Sequence, residues 1–180
     1  TKEYSPNALS RWGEAPEFIR TAIVRAFSHE CQINPQSRII ESEWIKLLSR
    51  WRAYLNTCPN CKEETYIEPK DYGKCKACGQ KRPLLWMQID HGEYVPLVAG
   101  QTIYESQLGR EGFFTPIAKI VPAKDSSKVL GIRNLSEMDW CVTYGTQKVT
   151  VSPGKAFKLC ENMSIKFSNI KEVKIRLVLH

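Results

Sequence analysis

Four cysteines carry the densest chemistry in the chain. Cys58-Pro-Asn-Cys61 is followed, after thirteen residues, by Cys75-Lys-Ala-Cys78-Gly79. A C-x-x-C pair lets two thiolates of one tight turn reach the same cation, and two such pairs complete a tetrahedron. Four sulfur ligands favour zinc, with iron the second choice. All four positions would be filled by protein, leaving none for water or substrate, so the expected Zn2+ is structural rather than catalytic. Pro59 pre-sets the first turn, and Gly79 frees the backbone where the chain must turn after the fourth ligand. Redox chemistry of a lone C-x-x-C is the competing reading, and the second pair argues against it. The segment 58–83 has little core of its own. Metal binding, worth on the order of 10–16 kcal/mol in finger peptides, would supply its folding free energy.

The remaining cysteines, Cys31, Cys141 and Cys160, sit in apolar contexts such as Trp140-Cys141-Val142. Free cysteine in such contexts behaves as a small buried hydrophobe. The histidines are His29, His91 and His180. His29 falls at a helix end, His91 beside Gly92 in a turn, and His180 at the terminus. No nucleophile elbow, Walker loop, dinucleotide fingerprint or H-E-x-x-H is present. Neither Cys31 nor His29 has a partner in sequence that would make a catalytic pair. The chain therefore reads as a binding or regulatory module, not an enzyme.

Three segments position this chemistry. Residues 1–57 read as helical. Behind Pro16, the residues Phe18, Ile19, Ala22, Ile23, Ala26 and Phe27 recur at helix spacing. Asn34-Pro35 marks a turn. A second helix is expected from about Glu41 to Asn56, with Trp44, Leu47, Leu48, Trp51 and Leu55 on its apolar face. Glu41 and Glu43 at its start and Arg50 and Arg52 towards its end complement the helix dipole. The ribbon of residues 58–83 follows. From residue 84 onward, Val, Ile, Thr and aromatics alternate with polar residues in short runs: Leu84–Ile89, Tyr94–Ala99, Ile117–Val121, Cys141–Tyr144, Val149–Val151, Ala156–Leu159, Ser164–Phe167 and Val173–Leu179. Turns every 8–12 residues between such runs predict an all-β sandwich. The expected fold class is α+β: an N-terminal helical hairpin (1–57), a four-Cys zinc ribbon (58–83) and a C-terminal all-β sandwich (84–180).

The 180 residues carry 26 Lys/Arg against 19 Asp/Glu, a net charge of +7. The three segments hold +2, +2 and +3, with no block of five or six like charges. That distribution suits a solvated, mildly basic surface better than a dedicated nucleic-acid face. No run of about 18 apolar residues is present, so no membrane helix is expected. No secretory leader is visible. Paired thiolates suit a reducing compartment, which places the protein in the cytoplasm. The chain begins at Thr1 rather than Met, which fits a piece of something longer.

Residues 25–48 resemble the closing helices of a Ser/Thr protein kinase, where a helix ends in a Phe…Pro-x-x-Arg…Glu-Trp…Leu passage. Asn34-Pro35, Arg38 and Glu43-Trp44 match it. In that family the arginine at the Arg38 position pairs with the glutamate of an Ala-Pro-Glu motif, which this chain lacks, as it lacks the Gly-rich loop, His-Arg-Asp and Asp-Phe-Gly. The resemblance implies a catalytic domain upstream.

Residues 84–180 resemble a divergent forkhead-associated (FHA) domain. Val95–Tyr104 is similar to its opening strand pair, Leu130–Trp140 to its central I-x-N-x-S stretch, and Val151–Phe167 to its closing Gly-Asp-x-Ile-x-Phe-Gly pattern. Tyr104-Glu105 stands where the family has Gly-Arg, and the Ser-x-x-His that grips phosphothreonine has no counterpart. Asn162 and Ser168 replace two glycines. The sandwich carries over better than the phosphopeptide site does.

The order of kinase end, zinc ribbon and FHA-like domain resembles the kinase of the bacterial tellurite-resistance-linked phosphorylation triad. The expected function is therefore non-catalytic: a C-terminal docking region of a Ser/Thr kinase. The resemblance implies as partners a von Willebrand A (TerY-like) protein and a PPM-type phosphatase. The alternative is a zinc-ribbon nucleic-acid-binding protein, motivated by the net charge and by Lys62, Lys70, Lys74, Lys76, Lys81 and Arg82.

Overall fold

The computed structural model describes residue 6 and residues 12–71, 73–81, 84–90, 93–110, 112–123 and 126–177, with the side chains of 126–129 excepted. Arg82, His91, Gly92 and His180, singled out above, lie outside the described residues.

The chain is α+β. Helix α1 (Glu17–Ala26) starts behind Pro16 at its N-cap and buries Ile19 and Ala22. Its last apolar residue of the expected stripe, Phe27, is three-quarters exposed. The turn expected at Asn34-Pro35 is preceded by a short helix α2 (His29–Ile33), capped by the Ser28 hydroxyl, which accepts from the Cys31 N–H at 3.3 Å. Arg38 lies exposed over the end of α2, and its Nε donates to the Cys31 carbonyl at 3.0 Å. A cation over the last carbonyls satisfies acceptors that the helix leaves open.

Helix α3 (Glu41–Tyr54) stops two residues before the expected end. Its fully buried residues are Ser49, Ala53 and Tyr54, while Leu48 and Leu55 are exposed. The expected apolar stripe is thus rotated. The cause is local: Leu55–Thr57 leaves the helix as strand β1 and pairs antiparallel with β2 (Glu64–Tyr66). Tyr54 then turns into the core instead of Leu55.

Strands β3 (Leu85–Asp90) to β12 (Lys171–Leu177) form two sheets. The six-stranded sheet has the order β4-β3-β12-β11-β8-β9, with β4 Glu93–Leu97, β8 Trp140–Tyr144, β9 Gln147–Val151 and β11 Ser164–Phe167. The four-stranded sheet has the order β10-β7-β6-β5, with β5 Thr102–Tyr104, β6 Pro116–Ala123, β7 Ser126–Asn134 and β10 Ala156–Lys158. All described pairings are antiparallel. The apolar faces meet in one core: Ile103, Ala118, Ile120 and Ile132 from the smaller sheet, Met87, Leu97, Val142, Ile165, Phe167 and Ile175 from the larger. Each of the Val, Leu, Ile, Met and Phe side chains among them contributes roughly 1.5–3 kcal/mol on burial. Trp140 and Phe167 meet edge to face at 4.8 Å.

Strand β7 was not among the expected runs. Gly131 and the polar Arg133 and Asn134 break its apolar alternation. Asn134 is wholly buried, yet every polar atom of its side chain is satisfied. Nδ2 donates to the carbonyls of Met138 (2.8 Å) and Val151 (2.9 Å), and Oδ1 accepts from the Ser136 N–H (2.9 Å) and hydroxyl (2.7 Å). Ser136 in turn accepts from Trp140 Nε1 at 3.0 Å. A buried polar residue is tolerated when it is fully hydrogen-bonded, and this one pins the 134–140 loop.

Candidate metal centre

The metal-ligand candidates lie on two turns with the same backbone plan. In the first, the Cys58 N–H donates to the Glu63 carbonyl and the Lys62 N–H to the Cys58 carbonyl, both at 2.9 Å. In the second, the Cys75 N–H donates to Gln80 and the Gly79 N–H to Cys75, again both at 2.9 Å. Each turn reverses the chain just past its second cysteine through a left-handed residue: Lys62 at φ 65° and Gly79 at φ 73°. The left-handed glycine is legible in the sequence. Its lysine counterpart is not, except by superposing one C-x-x-C on the other.

The plan brings Cys58, Cys61, Cys75 and Cys78 together, with all four Sγ atoms within 4.8 Å of one another. Cys58–Cys78 and Cys61–Cys75 are each 3.9 Å apart. That is far longer than the ~2.05 Å of a disulfide. Cys58 and Cys75 are buried, Cys61 is half-buried and Cys78 is exposed. Such a cluster could hold one metal ion.

The electrostatics favour a cation. Backbone N–H groups of Cys61 and Asn60 bring the Cys58 thiol down to about 6. The Asn60 amide, 3.6 Å from Cys78 Sγ, and the Gln80 N–H lower the Cys78 thiol. The Glu63 N–H also pulls on Cys61, but desolvation and the three neighbouring sulfurs outweigh it and push that thiol up to about 11. Thiolates this close repel one another, so without a cation they cannot all ionise. A bound metal removes the conflict, because coordination deprotonates a thiol outright.

The ribbon is anchored to the rest of the molecule. The Ile67 N–H donates to the Tyr54 carbonyl at 3.0 Å, and Ile67 is wholly buried. Tyr54 meets Phe18 and Trp86 edge to face at 6.0 and 6.3 Å. A charge clamp ties the second turn to the segment before it. Glu68, 8% exposed, lies 3.6 Å from both Lys70 and Lys76, and the Lys76 ammonium also reaches Asp71 at 3.4 Å and sits over the Tyr66 ring. Lys70 further faces Glu17 of α1 at 3.6 Å. The interleaved charges of the ribbon are therefore partly internal.

The other chemically notable residues are dispersed. Cys31 is buried, with its thiol 3.0 Å from the Ser37 carbonyl; Cys141 and Cys160 are half-buried; His29 is exposed. Among the described residues, no helix is long and apolar enough to cross a membrane. No protein-family model matches the chain, and no curated protein matches it.

Proposed function

We propose that this chain is the non-catalytic C-terminal docking region of a bacterial Ser/Thr protein kinase, with a zinc ion on Cys58, Cys61, Cys75 and Cys78 and an FHA-like β-sandwich. Its task is to hold partner proteins of a phosphorylation triad, first a von Willebrand A protein and then a PPM-type phosphatase, in the cytoplasm.

The observation that carries this reading is the state of the helices. Val24, Phe27, Ile33 and Ile40 are each more than 60% exposed, within or beside the passage that resembles the closing helices of a kinase lobe. The strands behind them are better packed, with only Leu55, Tyr144 and Val149 among their described large apolar residues exposed, each by half or less. Large apolar side chains left open in this way mark a surface meant to be covered, and helices that end a larger lobe would be covered by it.

Four sulfur ligands support zinc. A tetrahedron with Zn–S bonds of ~2.3 Å has edges of about 3.8 Å, close to the 3.9 Å of the Cys58–Cys78 and Cys61–Cys75 pairs, with every Sγ–Sγ separation within 4.8 Å. The FHA-like reading gains support from Asn162 and Ser168. They stand where that pattern has glycine, and both are left-handed, at φ 62° and 48°. Phosphothreonine recognition is not part of the proposal. Tyr104, at the place of the family's Gly-Arg, is instead a platform for Arg52 of α3, whose guanidinium lies 4.0 Å from the Tyr104 ring centre and donates to the Phe113 carbonyl at 3.0 Å. Lys70 and Lys76, held by Glu17, Glu68 and Asp71, favour protein docking over the nucleic-acid alternative.

The test is binding of the metal-loaded chain to a purified von Willebrand A protein of the source organism, by sedimentation and calorimetry. A one-to-one complex is expected, with kinase motifs in the same reading frame. No complex, and no kinase domain in that frame, would remove the reading.

A further inference from the structure

The outer face of the four-stranded sheet carries charge that the fold does not use. None of its strands contains an Asp or Glu. Lys119 of β6 stands directly opposite Arg133 of β7, and Ala156 of β10 flanks Arg133 on the other side. Two residues along, Lys158 stands opposite Gly131, which faces Val121. Lys119, Arg133 and Lys158 are exposed. The ion pairs among the described residues involve other cations.

Like charges directly opposite each other on neighbouring strands are destabilising. An uncharged residue at either place would build the same sheet. The floor between the cations is low, because Gly131 is bare backbone. A Cβ there would come within 3.1 Å of the Phe157 carbonyl oxygen and 3.6 Å of Val121 Cγ2. The face is thus a shallow trough with small residues beneath and, around it, three cations that have no ion-pair partner among the described residues.

We propose that this trough docks a carboxylate-rich segment of a partner protein. Charge complementarity sets the partner's sign, and the lining sets its class. Single-stranded nucleic acid binds sheets through exposed aromatic platforms. The outward residues here are Thr102, Lys119, Val121, Arg133, Ala156 and Lys158, while Phe157 packs on the core and Tyr104 lies beneath Arg52. The major groove of a duplex admits a helix or a two-stranded ribbon, not the face of a four-stranded sheet. In an extended peptide, alternate carboxylates lie about 6.8 Å apart on one side, a spacing that reaches cations on successive strands. The proposal rests on the docking reading for its biological use alone. The trough and its test stand without the kinase assignment, so failure here leaves the helices and ribbon as docking surfaces.

The experiment measures binding of a fluorescent decaglutamate peptide to the metal-loaded full chain by anisotropy at low salt, with single-stranded and duplex DNA of equal charge as competitors. Lys119→Glu with Arg133→Glu should weaken peptide binding at least tenfold. Lys148→Glu with Lys174→Glu, on the larger sheet, makes the same change in net charge and should weaken it less than threefold. Lys119→Glu alone should also weaken binding while raising the melting temperature by about 1–3 °C, since it turns a repelling cross-strand pair into an attracting one. That separates lost docking from lost folding. Equal losses in the two double variants would show attraction by net charge only and overturn the proposal. So would tighter binding of either DNA, or no binding of the peptide by the unaltered chain.

Discussion

Lys62 follows Cys61 as Gly79 follows Cys78, and the two share a left-handed backbone, at φ 65° and 73°. One turn meets this need with the residue suited to it, and the other forces it on a side chain that prefers φ below zero. The Lys62 ammonium partly compensates by donating to the Pro59 carbonyl at 2.8 Å. Lys62→Gly is expected to raise the stability of the metal-loaded protein by about 0.5–1 kcal/mol, the strain relief exceeding the added chain entropy. Gly79→Ala should cost about 1 kcal/mol, although the nearest atom to its Cβ, Lys74 Cε, is a comfortable 3.8 Å away. Urea denaturation of both variants checks the pair. A loss on Lys62→Gly would show that the bond to Pro59 outweighs the strain.

Removing the metal should unfold the ribbon before the sandwich. Among the described residues of 58–81, the buried ones are Cys58, Ile67, Glu68, Gly73 and Cys75, whereas the strands share a continuous core. A strong chelator, or Cys75→Ser, should abolish amide protection across 58–81 and leave protection in β8, β11 and β12. Hydrogen exchange read by mass spectrometry shows this directly. Loss of protection in both regions at once would mean that the ribbon and sandwich fold as one unit.

Acid should release the metal at a predictable place. The Cys58 thiol is depressed from its ordinary 9.0 to about 6. In the metal-free protein its stabilising contribution is complete above the ordinary value and is lost as pH falls through about 6. A bound cation lowers the thiols further, so the midpoint of metal release should lie below pH 6. Titration from pH 8 to 4 with a chromophoric chelator measures it. Release above pH 7 would contradict the stabilisation of the Cys58 thiolate.

Asn134→Ala should be among the most damaging single changes outside the metal site. It removes the side-chain donor from the buried Val151 carbonyl and from the exposed loop carbonyl of Met138, and it frees Ser136. Unsatisfied buried groups cost about 1–3 kcal/mol each, so a loss of about 3 kcal/mol is expected, seen as a fall of roughly 6–12 °C in melting temperature. Ser136→Ala, which leaves the Asn134 donors in place, should cost about 1 kcal/mol.

Arg52→Lys tests the seam between α3 and the sandwich. The guanidinium lies 4.0 Å from the Tyr104 ring centre and 4.4 Å from that of Phe113. An ammonium cannot stack in this way or keep the fork geometry. The expected loss is about 1–2 kcal/mol, and Arg52→Ala should add little to it. If lysine were fully tolerated, charge rather than planarity would hold the seam.

The amino-acid sequence by itself determined the two cysteine turns, the two main helices and most strands of the two packed sheets. Those features are local. Two thiolates three residues apart share a turn, α1 starts behind Pro16, and runs such as Ser164–Phe167 alternate apolar and polar residues in place. The tertiary structure decided what depends on distant partners. Strand β3 lies between β4 and β12, its neighbour from the far end of the chain, and no local pattern encodes that choice. Tyr54 rather than Leu55 enters the core because β1 must pair with β2, which ends the helix early and turns its buried face. Strand β7 hides behind a buried Asn134 whose four hydrogen bonds exist only once residues 136–151 fold around it. Lys119 and Arg133, fourteen positions apart, become neighbours through the β6–β7 register alone. Period and ligand spacing are properties of a few consecutive residues, whereas register, facing and burial are set by the segments that a residue meets after the chain has closed on itself.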